Sequence, residues 1–422
     1  MVTPAGGREL WLSDAARVAA MTWSDLISGL LLIVLGWRAL TPGRPLALWL
    51  ACGIGVWLNA APLLFWAPNA AAYLNGTLVG TLVIALTILI PGMPAMISNM
   101  KMGPDLPPGW SYNPSSWVQR SIMIALAFAG WLVSRYLAAF QLGYLTEVWD
   151  PFFSDGSRQV LTSKMSESLP ISDGGLGALT YTIEFLMGWM GSQGRWRTMP
   201  WMVTFFGILV IPLGLVHIFL VASQPVMVGE WCTFCLLAAA LMLPMIPLQV
   251  DEVIAMGQFM VQAKREGKPF WRTFWKGDTV EGKMDERLPA IAEFPKRPRQ
   301  VFLASLWGMT FPWTLIASTL LGAWLMGAPA LFGTEKPMAD IEHITGALIV
   351  TIAVIAMGEP VRICRYLNVA AGLVVAASPF VLAGASTTGR INDLLIGLAV
   401  IALSIPRGKI KEAFGSWDRF VR

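Results

Sequence analysis

The sequence predicts an all-α polytopic membrane protein of about 11 transmembrane helices, and three observations carry that prediction. Of 422 residues, 55% are hydrophobic and 13% are charged, about half the roughly 25% charge content of a soluble domain. Mean hydropathy is +0.61, and apolar runs longer than about 17 residues, enough to span a bilayer, recur along the chain. Most of the Lys and Arg residues between those runs fall on one side of a single alternating topology, with Arg158 and Lys164 set among the acids of the opposite side. This composition excludes a disordered chain, a coiled coil and a soluble α/β enzyme. Thirty Lys and Arg against 26 Asp and Glu leave a scattered net charge of +4, which argues against a nucleic-acid partner. With two His and four Cys, no metal is expected.

The predicted spans are 23–40, 46–66, 74–91, 117–140, 174–192, 200–222, 228–249, 301–326, 341–358, 366–384 and 392–406. The first 22 residues do not read as a cleaved signal, because Arg8, Glu9, Asp14 and Arg17 interrupt any apolar run. Cytoplasmic loops are enriched in Lys and Arg. Arg38 and Arg44, Lys101 and Arg120, Arg195 and Arg197, the ten basic residues of 250–300, Arg362 and Arg365, and Arg407, Lys409 and Lys411 share one side if the N-terminus is outside and the C-terminus inside. The acidic loop 141–173, with Glu147, Asp150, Asp155, Glu167 and Asp173, then lies outside. A bacterial plasma membrane fits this pattern.

Residues 25–90 and 342–407 align without a gap at an offset of 317. Gly29, Gly55, Pro62, Asn75 and Gly80 recur as Gly346, Gly372, Pro379, Asn392 and Gly397. Each copy is a three-helix unit whose small residues allow close helix packing, and Asn75 and Asn392 sit where helix N-caps are expected. Neither copy shows a conspicuous buried charge on this reading, so both are expected to be structural flanks. They resemble the bacterial membrane segments called SPW repeats: Ala377-Ser378-Pro379 keeps the Ser-Pro, and Ala60-Ala61-Pro62 the Pro.

Among the cysteines, Cys52, Cys232, Cys235 and Cys364, only Cys232 and Cys235 form a C-x-x-C. It opens the span at 228–249, at the end facing outside. In the first turn of a helix, such a pair can close a reversible disulfide, because the helix N-terminus favours the exchanging thiolate. Two inert thiols or half of a metal site are the alternatives; structural zinc wants four ligands, and no second pair lies nearby.

The outer loop from Leu161 to Tyr181 carries Ser163, Ser168-Leu169-Pro170, Leu176-Gly177 and Tyr181. With the outward C-x-x-C opening the fourth helix of a bundle, it resembles the vitamin K epoxide reductase family over about 117–250. The resemblance implies a four-helix bundle around a quinone of the menaquinone or ubiquinone type. Cys235 would react with the quinone, and Cys232 would exchange with an external thiol or thioredoxin-fold protein. Ser163 sits at the family's loop serine, and Ser163, Trp231 and Arg135 are candidates for the quinone pocket. Two departures stand out. The loop 141–173 holds no Cys, so the relay pair usual in the family is missing. Position 239, a quinone-bonding Tyr in some members, is Ala239.

Glu184 lies mid-span, where a carboxylate is costly and often functional. It is a candidate for proton handling, with Arg135 as a partner or as one half of a structural ion pair. His217, toward the outer end of its span, is a second proton-handling candidate or a core histidine. Cys52 and Cys364 read as inert. Phe270-Trp271-Arg272-Thr273-Phe274-Trp275-Lys276 reads as an interfacial segment, and Trp196 and Trp201 as part of an aromatic belt.

The predicted organisation is an SPW-like repeat at 1–100, an inner linker at 101–116, the four-helix bundle at 117–250, a basic and aromatic cytoplasmic segment at 251–300, an extra helix with an outer loop at 301–340, and the second SPW-like repeat at 341–422. The expected function is thiol–disulfide exchange coupled to a membrane quinone. The alternatives are a non-catalytic scaffold or assembly subunit that retains the bundle, and a transporter, which the lack of broken helices and charged midplane residues disfavours.

Overall fold

In the computed structural model, residues 4–7, 10–41, 45–89 and 103–421 are described; Arg8, Glu9, Arg44 and Lys101 of the charge pattern lie outside them. Eleven long helices carry the fold. They are α1 (Asp14–Ala39), α2 (Pro45–Leu64), α3 (Ala70–Leu89), α4 (Trp117–Gln141), α5 (Asp173–Trp189), α6 (Pro200–Ala222), α7 (Thr233–Arg265), α8 (Trp313–Phe332), α9 (Met338–Ile355), α10 (Leu367–Val381) and α11 (Thr387–Ser404). Ten are long and apolar enough to cross a bilayer, α10 only together with the 3-10 turns that lead into it, as Glu359–Val381. The remaining one, α5, has 17 residues and corresponds to the predicted span at 174–192. Among the described residues there is no strand, only two isolated bridges. The protein is an all-α polytopic membrane protein.

Two of the predicted spans have different bounds in the structure. The span expected at 301–326 begins at Trp313, because Gly308 turns with φ 83° and Pro312 in extended conformation precedes the first turn, where proline's missing N–H costs nothing. It ends at Gly333, which is left-handed with φ 61°. The helix expected to end near 249 continues to Arg265. Helix α6 holds a π-helical turn at Leu209–Leu213 around Pro212, the usual consequence of a proline that removes one ladder bond.

The chain forms two units. One comprises Met1–Met102, Met123–Ser192 and Glu230–Ala238; the other comprises Gly103–Ile122, Gln193–Gly229 and Ala239–Arg422. In the first unit, α2 and α3 cross backbone to backbone: a Cβ on Gly80 would stand 2.6 Å from the Gly55 carbonyl oxygen. The buried Arg17 guanidinium donates to the Trp66 carbonyl at 2.9 and 2.6 Å, tying α1 to the end of α2. In the second unit, α10 and α11 cross in the same way, with a Cβ on Gly397 2.5 Å from the Gly372 oxygen. These glycines are the pairs that the sequence repeat aligns.

Three expectations about the repeats and loops are corrected. The N-caps are not Asn75 and Asn392, which lie inside α3 and α11. They stand six residues earlier: Asn69 accepts from the Ala72 N–H at 2.9 Å, and Ser386 from the Gly389 N–H at 3.1 Å, still at the repeat offset. The second copy is not free of buried charge, since Glu342 and Asp393 are 1% and 0% exposed. Trp196 is not part of an exposed belt. Trp196 is fully buried and donates to the Asp105 carbonyl at 2.9 Å. Arg195 grips Glu252 at 2.5 and 2.7 Å, and Arg197 donates to the Pro104 carbonyl at 2.6 Å. The segment after residue 103 folds over these groups, a long-range contact that local sequence does not announce.

Candidate active site

Cys232 and Cys235 form a disulfide, with Cα atoms 5.2 Å apart. Helix α7 starts at Thr233, so Cys232 occupies the cap position and Cys235 the third residue of the helix. The Cys235 N–H donates to the Cys232 sulfur at 3.1 Å, the bond that a serine or aspartate cap makes elsewhere. When the pair is reduced, the same N–H and the helix dipole favour a Cys232 thiolate. Cys232 is fully buried, and Cys235 is 9% exposed.

The loop between α4 and α5 encloses this pair, and its fastener is Asp150. The Asp150 carboxylate accepts from the Phe152 and Phe153 N–H groups at 3.1 and 2.9 Å. It also accepts from the Ser157 N–H at 3.1 Å and the Ser157 hydroxyl at 2.6 Å, from the Thr233 N–H at 3.2 Å, and from the Thr233 hydroxyl. One charge therefore shapes the loop and caps the helix that carries the cysteines. Burial pushes the Asp150 carboxyl up, but the Ser157, Thr233, Phe153 and Phe152 donors outweigh it and hold the group well below the usual carboxylate range. Gly156 lies against the same spot: a Cβ there would stand 2.3 Å from the Trp231 carbonyl oxygen. Phe234 packs edge-on to Tyr136 at 5.0 Å and near Trp149 at 6.2 Å, and the Tyr136 hydroxyl accepts the Trp149 N–H at 2.8 Å.

Gln141 fixes the far end of the loop. Its amide nitrogen donates to the Leu161 carbonyl at 3.2 Å, Ser166 at 2.7 Å and Asp173 at 2.5 Å. Its oxygen accepts from Ser172 at 2.7 Å and the Gly174 N–H at 2.9 Å. A Cβ on Gly174 would stand 2.8 Å from the Ala138 nitrogen, so this glycine lets the head of α5 meet α4.

Glu184, on α5, is 1% exposed, and neither carboxyl oxygen has a hydrogen-bond partner. One turn away, the Tyr181 hydroxyl donates to the Ala238 carbonyl at 3.1 Å, joining α5 to the first turns of α7. The Arg135 side chain goes elsewhere: it donates to Thr77 at 3.1 Å and lies 5.1 Å from the ring centres of both Tyr73 and Trp131. The Glu184–Arg135 pairing weighed from sequence does not form, because the arginine meets α3 instead. The Ser163 hydroxyl donates to the Val160 carbonyl at 2.7 Å and closes a local turn. Trp231 is half-buried with its carbonyl against Gly156. His217, half-buried on α6, belongs to the other unit. Cys52 and Cys364 are unbridged, and no group of three or more His, Cys, Asp or Glu able to hold a metal occurs among the described residues. Sequence reasoning missed Asp150; its acidic loop was visible, but its partner Thr233 stands 83 residues away.

Residues 121–250 match the model of the vitamin K epoxide reductase family, and residues 312–406 match that of the SPW repeat domain. The second match begins at 312 and so takes in α8. No curated protein and no solved structure matches the chain. The chain thus joins a segment that matches the vitamin K epoxide reductase family, carrying the C-x-x-C disulfide, to one that matches the SPW repeat.

Proposed function

We propose that this protein is a membrane thiol–disulfide oxidoreductase that moves electrons from an outside dithiol to a membrane quinone through Cys232 and Cys235. The observation that carries the reading is the disulfide at the head of α7, inside the segment that matches the vitamin K epoxide reductase family. A donor thiolate attacks the Cys232 sulfur, the S–S bond breaks, and Cys235 leaves as a thiolate. The second donor thiol then attacks the mixed disulfide and releases Cys232. The donor ends as a disulfide, and two electrons and two protons have entered the site. A bound quinone supplies a two-electron, two-proton acceptor, and passing the electrons to it from Cys235 restores the Cys232–Cys235 bond. The orphaned Glu184 carboxyl, at 1% exposure, fits a site that holds a proton for such an acceptor.

The missing loop cysteines make the donor external, either a small thiol or a thioredoxin-fold protein. Because Cys232 is buried, the donor reaches it only when the Asp150 fastening opens. The test is quinone-dependent oxidation of a dithiol by the purified protein in nanodiscs. Cys232→Ser and Cys235→Ser should each abolish turnover, whereas turnover that persists in the double variant would sink the reading and favour a bundle retained as a scaffold.

A further inference from the structure

The second repeat copy carries two acids that no redox step uses. Glu342 on α9 and Asp393 on α11 are 1% and 0% exposed. Their carboxyl groups adjoin each other, and the Thr334 hydroxyl lies beside Glu342. Neither Glu342 oxygen, nor Asp393 Oδ2, nor Thr334 Oγ1 closes a hydrogen bond. Asp393 Oδ1 accepts from the Asn392 amide at 3.1 Å, and Asn392 is itself held by the Trp324 indole at 3.1 Å.

Among the described residues, no basic side chain pairs with either acid. The nearby Lys336 ammonium lies 3.6 Å from Asp340 and donates to the Val226 carbonyl at 2.7 Å. His343 Nδ1 lies 2.9 Å from the Met326 carbonyl oxygen, and Arg390 is exposed. Two ionised carboxylates side by side inside a span cannot persist uncompensated, so the pair needs a positive charge. A calcium ion takes about six to eight oxygen ligands; here the two acids and Thr334 leave four unpartnered side-chain oxygens, and among the described residues no third acid joins them in a group able to hold a metal. A proton needs only two oxygens.

We propose that Glu342 and Asp393 form a proton-binding site, a carboxyl pair that takes up one proton between them. The proton sits on one carboxyl and is donated to the other, leaving a net charge of −1. Glu342 and Asp393 are the fifth and seventh residues of their helices, so the site lies about 6–9 Å below the helix ends. The proton exchanges with the aqueous phase at that end. This site is independent of the thiol chemistry.

Infrared difference spectroscopy of the full-length protein in nanodiscs tests this directly. A protonated-carboxyl band that shifts in D2O is expected, removed or displaced by Glu342→Gln and by Asp393→Asn, and untouched by Glu184→Gln. The wild type supplies an arm that needs no variant: at fixed pH the band should ignore replacement of K+ by Na+ and addition of Ca2+. A spectrum unchanged in both variants would overturn the pairing, and a band abolished by Na+ or Ca2+ would overturn the proton in favour of a metal cation.

Discussion

In residues 25–90 the position equivalent to Asp393 is Gly76, where a Cβ would stand 2.9 Å from Pro62 Cγ and 3.1 Å from the Leu58 carbonyl oxygen. In residues 342–407 the same position holds a buried aspartate facing Glu342. The second and third helices of the two copies share one frame. The glycine crossings Gly55–Gly80 and Gly372–Gly397, the intrahelical prolines Pro62 and Pro379, and the caps Asn69 and Ser386 stand at one offset. The first helix of each copy differs as well. A Cβ on Gly346 would stand 2.7 Å from the Gly322 oxygen of α8, whereas at Gly29 nothing among the described residues lies within 4 Å. The copies repeat a packing scaffold, and the pair of buried acids stands in the second of them.

The largest effect should come from the shared crossings. Gly80→Leu and Gly397→Leu each force a side chain into a facing carbonyl and should each cost about 3 kcal/mol or more, read as loss of folded protein by thermal denaturation in detergent. If one were tolerated, the copies would not share a framework. Next come the positions where the copies diverge. Gly346→Leu should cost about 2 kcal/mol, and Gly29→Leu no more than about 0.5 kcal/mol, in the same assay; equal costs would erase the distinction.

A contrast of similar size lies between the unsatisfied acids of the second copy and Asp150, which has six donors. Asp150→Ala should cost about 2 kcal/mol, the order of a charge-assisted hydrogen bond, and should speed maleimide labelling of the reduced Cys232. Because the folded Asp150 carboxyl is held below its ordinary value, its contribution is complete above about pH 4 and is lost only as the pH falls toward the depressed folded value. Labelling rates should therefore not change between about pH 5 and pH 8 on account of Asp150. The smallest effect is at the caps: Asn69→Ala and Ser386→Ala should each cost about 1 kcal/mol, and a marked inequality would show that one cap is redundant.

What was legible in the sequence was what is local or periodic. The apolar runs gave the helices, the glycine spacing gave the crossings, and the C-x-x-C beside an apolar run placed the cysteines in a first helical turn. What was not legible depends on residues far apart in the chain. Asp150 meets Thr233, Glu342 meets Asp393, and Arg195 meets Glu252 across 57 residues; nothing in the spacing of any of these pairs distinguishes it from chance. Asn75 and Asn392 misled because an asparagine near a helix start reads as a cap, although the true caps sit one and a half turns earlier.

The central claim is that Cys232 and Cys235 cycle between dithiol and disulfide. The most direct measurement is their redox state in native membranes, trapped with a membrane-impermeant maleimide before and after addition of a quinone or a dithiol. The account predicts an unlabelled disulfide that opens with dithiol and closes again with quinone. Cysteines that stay reduced and unreactive under every condition would contradict it.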